Sequence, residues 1–125
     1  QTAVTGASIN YTQVANRRYK YTVSGHAFWS AAGVTTDLFN CAITNGTGTV
    51  FANCNVTPTG TALSSTYATG FSFTWHEAPT ATAAVTRQLR IDRAAGAGGI
   101  VTFFADASRI GAFIIEDVGP SGAPA

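Results

Sequence analysis

Between Tyr19 and Trp29 the apolar side chains fall on every second residue. Tyr19, Tyr21, Val23, Ala27 and Trp29 share one register, with Gly25 in step, while Lys20, Thr22, Ser24 and His26 fall between them. Successive side chains of an extended chain point to opposite faces, so a period of two buries one face and wets the other, a demand no helix meets. The period returns in Tyr67, Thr69, Phe71, Phe73 and Trp75, and again in Val85, Leu89 and Ile91. Ile100 to Ala105 and Ala112 to Val118 are instead nearly continuous runs of β-branched and aromatic residues, the pattern of central strands covered on both faces. Helical spacing of apolar residues is never sustained, although 30–38 has room for a helical turn. With a further strand near Ser8 to Val14, the chain is predicted to be all-β. The expected architecture is an eight-stranded antiparallel β-sandwich, jelly-roll-like, over residues 1–118, followed by a flexible Gly/Pro-rich tail at 119–125.

One hairpin is specified by arithmetic. A two-residue turn at Thr47 and Gly48 pairs residues whose numbers sum to 95, setting Phe39 opposite Val56, Cys41 opposite Cys54 and Ile43 opposite Ala52, so that one face is wholly apolar. The competing Asn45-Gly46 turn sums to 91 and sets Cys41 against Val50. The first register makes Cys41 and Cys54 candidates for a cross-strand disulfide; two buried reduced cysteines acting as small apolar residues are the equal alternative. A strict jelly roll places the third and fourth strands in opposite sheets, which this hairpin does not.

Charge then narrows the chemistry. Only 10% of residues are charged, against roughly a quarter in an average domain, and the net charge is +1, with 19 Thr and 22 Ala. That balance excludes a charge-laced bundle, a disordered polyampholyte and a strongly basic nucleic-acid binder, and there is no apolar run of the length a membrane-spanning helix needs. Neither nucleic acid nor a membrane is an expected partner. Six acids and two histidines leave few groups for acid–base or nucleophilic catalysis, and Glu116 and Asp117, adjacent on a strand, point to opposite faces. No catalytic residue, cofactor or metal site is predicted; a calcium site at Asp92 or Asp106 has no motif behind it. Arg87, Arg90 and Arg93 are expected on a solvated surface. Trp29, Trp75 and His76 are the candidate contacts to a glycan or partner chain, against a default role of the aromatics in the core.

Thr86-Arg87-Gln88-Leu89-Arg90, a Gly-rich turn, Ile100-Val101-Thr102-Phe103 and the closing Ile115-Glu116-Asp117-Val118-Gly119-Pro120 together resemble the end of a β-sandwich module of tailed-bacteriophage virion proteins, as found in minor tail proteins of phages of actinobacteria. Upstream, Asn16-Arg17-Arg18-Tyr19-Lys20-Tyr21 resembles the module's early Gly-Arg-x-Tyr strand, with Asn16 where Gly is common, and Ile43 to Thr49 resembles its first hairpin turn. The resemblance implies a non-enzymatic virion structural protein, tail-associated, serving host-surface attachment or particle assembly. It also implies a homo-oligomer, a trimer by analogy with fibre-like and decoration proteins, with other virion proteins and a host-surface glycan as partners. A capsid decoration protein stabilising the phage head is the first alternative, and a secreted carbohydrate-binding module the second. As modules of this kind form part of longer chains, the absence of Met fits a piece of a larger polypeptide.

Overall fold

The structure is a computed structural model and describes residues 2–29, 38–57, 67–95, 101–104, 108 and 110–122. Those residues are all-β and form two antiparallel sheets packed face to face. The strands are β1 (Thr2–Gln13), β2 (Arg17–Trp29), β3 (Leu38–Thr44), β4 (Val50–Val56), β5 (Tyr67–Glu77), β6 (Ala83–Ala95), β7 (Val101–Phe104) and β8 (Ala112–Pro120). One sheet has the order β1-β6-β3-β4. In the other, β2 lies between β5 on one side and β7 and β8 on the other. The alternation in β2 and β5 does what the sequence asks of it: Tyr19, Tyr21, Val23 and Ala27 are buried, and Phe71, Phe73 and Trp75 pack against them. Phe39, Cys41, Ile43 and Leu89 close the core from the opposite sheet, where the Phe39 and Phe71 rings lie 5.3 Å apart. Of the further residues expected inside, Ile91, Phe103 and Ile115 are half-buried against the same cluster. Gly25 is where β2 lets the Phe103 ring onto its backbone; a Cβ there would overlap that ring.

Several expectations are corrected. Ala112 to Val118 does not form the centre of a sheet: among the described residues β8 pairs only with β2, along Arg17–Ser24, and β7 continues the same side of β2 along His26–Trp29. Ile114 and Val118 are accordingly 48% exposed. The strand buried on both faces is β3, whose outward residues are small or polar and are covered by neighbours. Asn40 Nδ2 donates to Asp92 Oδ1 at 2.7 Å, and Thr44 Oγ1 donates to the Gln88 carbonyl at 3.2 Å. The first strand begins at Thr2 rather than near Ser8, and β8 runs to Pro120, past the boundary expected at 118. The helical turn for which 30–38 has room lies, up to residue 37, outside the described residues.

The hairpin register is as the sum of 95 requires, with Phe39↔Val56, Cys41↔Cys54 and Ile43↔Ala52. Its turn differs. A register shift makes Thr44 face Val50, and Asn45 organises the loop by accepting at Oδ1 from the backbone N–H groups of Thr47 and Thr49, each at 3.0 Å. Gly46 and Gly48 supply the positive φ values of 86° and 114°. β3 and β4 are thus hydrogen-bonded neighbours, which departs from a strict jelly roll.

Candidate functional site

Glu77 closes β5 in the inward register of Phe71, Phe73 and Trp75, and Arg87 shares the inward register of Leu89 and Ile91 on β6. The two strands belong to opposite sheets, so the charges meet between them. Arg87 Nη2 donates to Glu77 Oε1 at 2.6 Å and to Oε2 at 2.9 Å, with side-chain exposures of 5% and 17%. The Tyr21 hydroxyl donates to Oε2 at 2.6 Å, and the Tyr11 hydroxyl is hydrogen-bonded to that of Tyr21. Arg87 Nη1 donates to the Thr86 carbonyl at 3.0 Å, and its guanidinium carbon stands 4.4 Å from the centre of the Phe51 ring. Phe51 stacks on Trp75 at 5.4 Å, and Trp75 lies 4.9 Å from Tyr21.

The electrostatics follow from this enclosure. Burial works against a charged Arg87, but the Glu77 carboxylate more than offsets it and holds the guanidinium above its ordinary value. Burial, then the bond to Glu77, lifts the Tyr21 phenol far above its usual range, and burial raises Tyr11 as well. Here every carboxylate and hydroxyl is committed to a neighbour, so the cluster rivets the two sheets together instead of presenting a reactive group. Arg87 was expected on a solvated surface, and that expectation is corrected. The signal that it is buried is its register with Leu89 and Ile91, which its charge masks.

A second cluster joins the start of β2 to the end of β8. Asn16 is the one described non-glycine residue with a positive φ, 61°, a conformation glycine adopts without strain. Its N–H donates to the Pro79 carbonyl at 3.0 Å, and its carbonyl accepts from Ser121 N–H at 2.8 Å. Next to it, Arg17 Nε donates to both Asp117 oxygens at 3.1 and 2.9 Å, and Nη2 lies 2.9 Å from Oδ1. The Asp117 carboxyl is held below its ordinary value by Arg17, and further by the Gly119 N–H, which donates to Oδ1 at 3.0 Å. Gly119 has φ 112°, and Lys20 Nζ stands 4.0 Å from Glu116 Oε2.

The residues singled out from sequence do not converge. Trp75 is inside, against Phe51 and Tyr21, whereas His76 is exposed on the opposite face of the same strand. Trp29 pairs in the backbone ladder with Tyr67 and Val101, and its side chain lies outside the described residues. Cys41 and Cys54 are free thiols, one buried and one half-buried; burial, with a smaller contribution from Cys54, pushes the Cys41 thiol up to about 12. Asp92 is engaged by Asn40, Asp106 lies outside the described residues, and among the described residues no group of three or more His, Cys, Asp or Glu gathers to hold a metal ion. A cavity of about 520 Å³ opens between the sheets where β1 faces β7 and β8, lined by Val4, Ala7, Ile9, Ile91, Phe103 and Phe113 among others. It follows from β1 itself: between Ala3, which faces Arg90, and Ser8, which faces Gln88, the strand bulges away from β6.

No protein-family model, curated protein or solved structure matches the chain.

Proposed function

We propose that the chain is a non-enzymatic bacteriophage virion structural protein, a tail-associated module for host-surface attachment or particle assembly. The observation that carries this reading is the contact between its two virion-like motifs. Asn16-Arg17-Arg18-Tyr19-Lys20-Tyr21 and Glu116-Asp117-Val118-Gly119-Pro120 lie about a hundred residues apart, yet Arg17 grips Asp117, Lys20 faces Glu116, and Asn16 holds Ser121. Residues that carry the resemblance therefore do one joint job, locking β8 along β2, and Asn16 and Gly119 take up the backbone conformations for which Gly is the natural choice. The weakly charged sheet faces, built from residues such as Thr22, Ser24, Ser72 and Thr74, suit close packing against other protein surfaces.

The same reading takes the fold as an eight-stranded, jelly-roll-like sandwich in which the third and fourth strands share a sheet, and the working form as a homotrimer on the particle. Light scattering at micromolar concentration is expected to report a trimer; a persistent monomer refutes self-sufficient assembly. The decisive experiment is to map the neighbouring coding sequences, which are expected to encode other virion proteins. Tail genes on both sides support attachment or tail assembly, and head genes move the module to capsid decoration. A flanking glycoside hydrolase, together with glycan-array binding by the monomer, overturns the virion reading in favour of a secreted carbohydrate-binding module.

A further inference from the structure

We propose that Cys41 and Cys54 are a latent cross-strand disulfide site in which Cys54 meets the oxidant and Cys41 resolves it. The two residues face each other in the antiparallel ladder of β3 and β4, and both carry free thiols. Facing α-carbons in such a ladder lie about 4.5 or 5.5 Å apart according to pair type, and both spacings fall inside the range of about 4.4–6.8 Å that a disulfide spans. The flanking pairs Phe39↔Val56 and Ile43↔Ala52 hold the register on either side, and β6 supports β3 from behind, so closing the bond requires little backbone movement.

Access to the two sulfurs differs. Cys41 is 0% exposed, enclosed between β4 and β6, whereas Cys54 is half-buried on β4, an edge strand of the sheet among the described residues, its Sγ 3.9 Å from the Asn55 carbonyl oxygen. A dissolved disulfide such as oxidised glutathione therefore reaches Cys54 first. Cys54 loses its proton to water and its thiolate attacks one glutathione sulfur; the glutathione S–S bond breaks, one glutathione leaves as a thiolate, and a mixed disulfide forms at Cys54. Cys41 then loses its proton and attacks Cys54 Sγ, expelling the second glutathione as a thiolate. The two leaving thiolates take up the two protons, so the chain is oxidised by two electrons and glutathione disulfide is reduced by two. Both thiols are held protonated at neutral pH by burial, which makes the first step slow there and faster as the pH rises. Once formed, the bond has one sulfur inside the core, shielded from reductants, and ties β4 to the doubly buried β3.

The test is to incubate the whole chain with mixed oxidised and reduced glutathione at mildly alkaline pH, block remaining thiols with iodoacetamide, and weigh the intact protein over time. The unsubstituted chain is expected to pass through a single glutathione adduct at Cys54 and to finish lighter by two hydrogens, with no thiol left to alkylate. Cys41→Ala should stop at the adduct on Cys54, and Cys54→Ala should take up no glutathione in the same period. A lasting adduct on the unsubstituted chain, no reaction at all, or a first adduct on Cys41 each overturns the proposal. If Cys41→Ala fails to fold, a peptide digest of the adduct trapped on the unsubstituted chain decides alone, because it shows which cysteine carries the glutathione.

Discussion

Two arginines of this chain grip a carboxylate with more than one hydrogen bond, in opposite surroundings. Arg87 holds Glu77 between the sheets, with side-chain exposures of 5% and 17%, and Arg17 holds Asp117 at the rim, with exposures of 40% and 39%. The distances are alike, so the difference lies in the solvent. Water screens the rim pair and solvates either partner if the other is removed; in the interior, a charge stripped of its counterpart has little to replace it. The pair that shapes the chain's stability is thus the one beneath the aromatic layer of Phe51 and Trp75, while the rim pair chiefly fixes where β8 lies.

The largest test of that contrast is Arg87→Ala, which leaves Glu77 enclosed without its cation. Urea unfolding should show a loss of about 3–5 kcal/mol, whereas Arg87→Met combined with Glu77→Leu should recover most of it, because a well-packed apolar pair needs no desolvation. A loss much below that range would place the interior pair in the same class as the rim pair. Tyr21→Phe comes next. It removes the hydroxyl that donates to Glu77 and leaves Tyr11 without its partner, and the same measurement should lose about 1–3 kcal/mol.

The alkaline limb of stability should then report the same cluster. Tyr21 and Tyr11 have folded-state values above the ordinary one of about 10, so their contribution is complete below that pH and is lost as the pH rises beyond it toward the folded values. Unfolding midpoints should fall steeply above about pH 10 in the unsubstituted chain and less steeply in Tyr21→Phe. Arg17→Ala is expected to have the smallest effect: little change in the urea midpoint, less still in added salt, and a rise of the Asp117 carboxyl toward its ordinary value, measured by NMR titration. Because that carboxyl is depressed in the folded chain, its contribution is present above about pH 4 and is lost on further acidification.

What the sequence made legible, and what it did not, divides along the same line between pattern and environment. Alternation located the strands, and the pairing of apolar residues about one turn set the β3–β4 register down to Cys41 opposite Cys54. It did not reveal which strand is central. The apolar run of β8 looked doubly buried and lies, among the described residues, beside one neighbour, while β3, with Asn40 and Thr44 in its outward register, is the enclosed one because β6 supplies Asp92 and the Gln88 carbonyl to satisfy them. Such coverage depends on a strand about fifty residues away and leaves no local trace. The interior cluster was written in the inward registers of Glu77 and Arg87, but charge on a strand argues for solvent unless the opposite sheet is known to carry the counter-charge. Nothing in the periodicity marks the bulge between Ala3 and Ser8, since Gly6, with φ 78°, is one glycine among thirteen.

The lock between Asn16 and Ser121 also sets how the chain bears a load. β1 begins at Thr2, beside Ile91, and finishes at Gln13, three residues short of Asn16, so a pull applied at Thr2 and Ser121 acts at opposite ends of β1 and runs along the strands. Ladder hydrogen bonds lie across that direction, so the rungs joining β1 to β6 and β8 to β2 share the force and must slip together instead of opening one at a time from an end. Tension along the strand axis therefore meets the chain in shear.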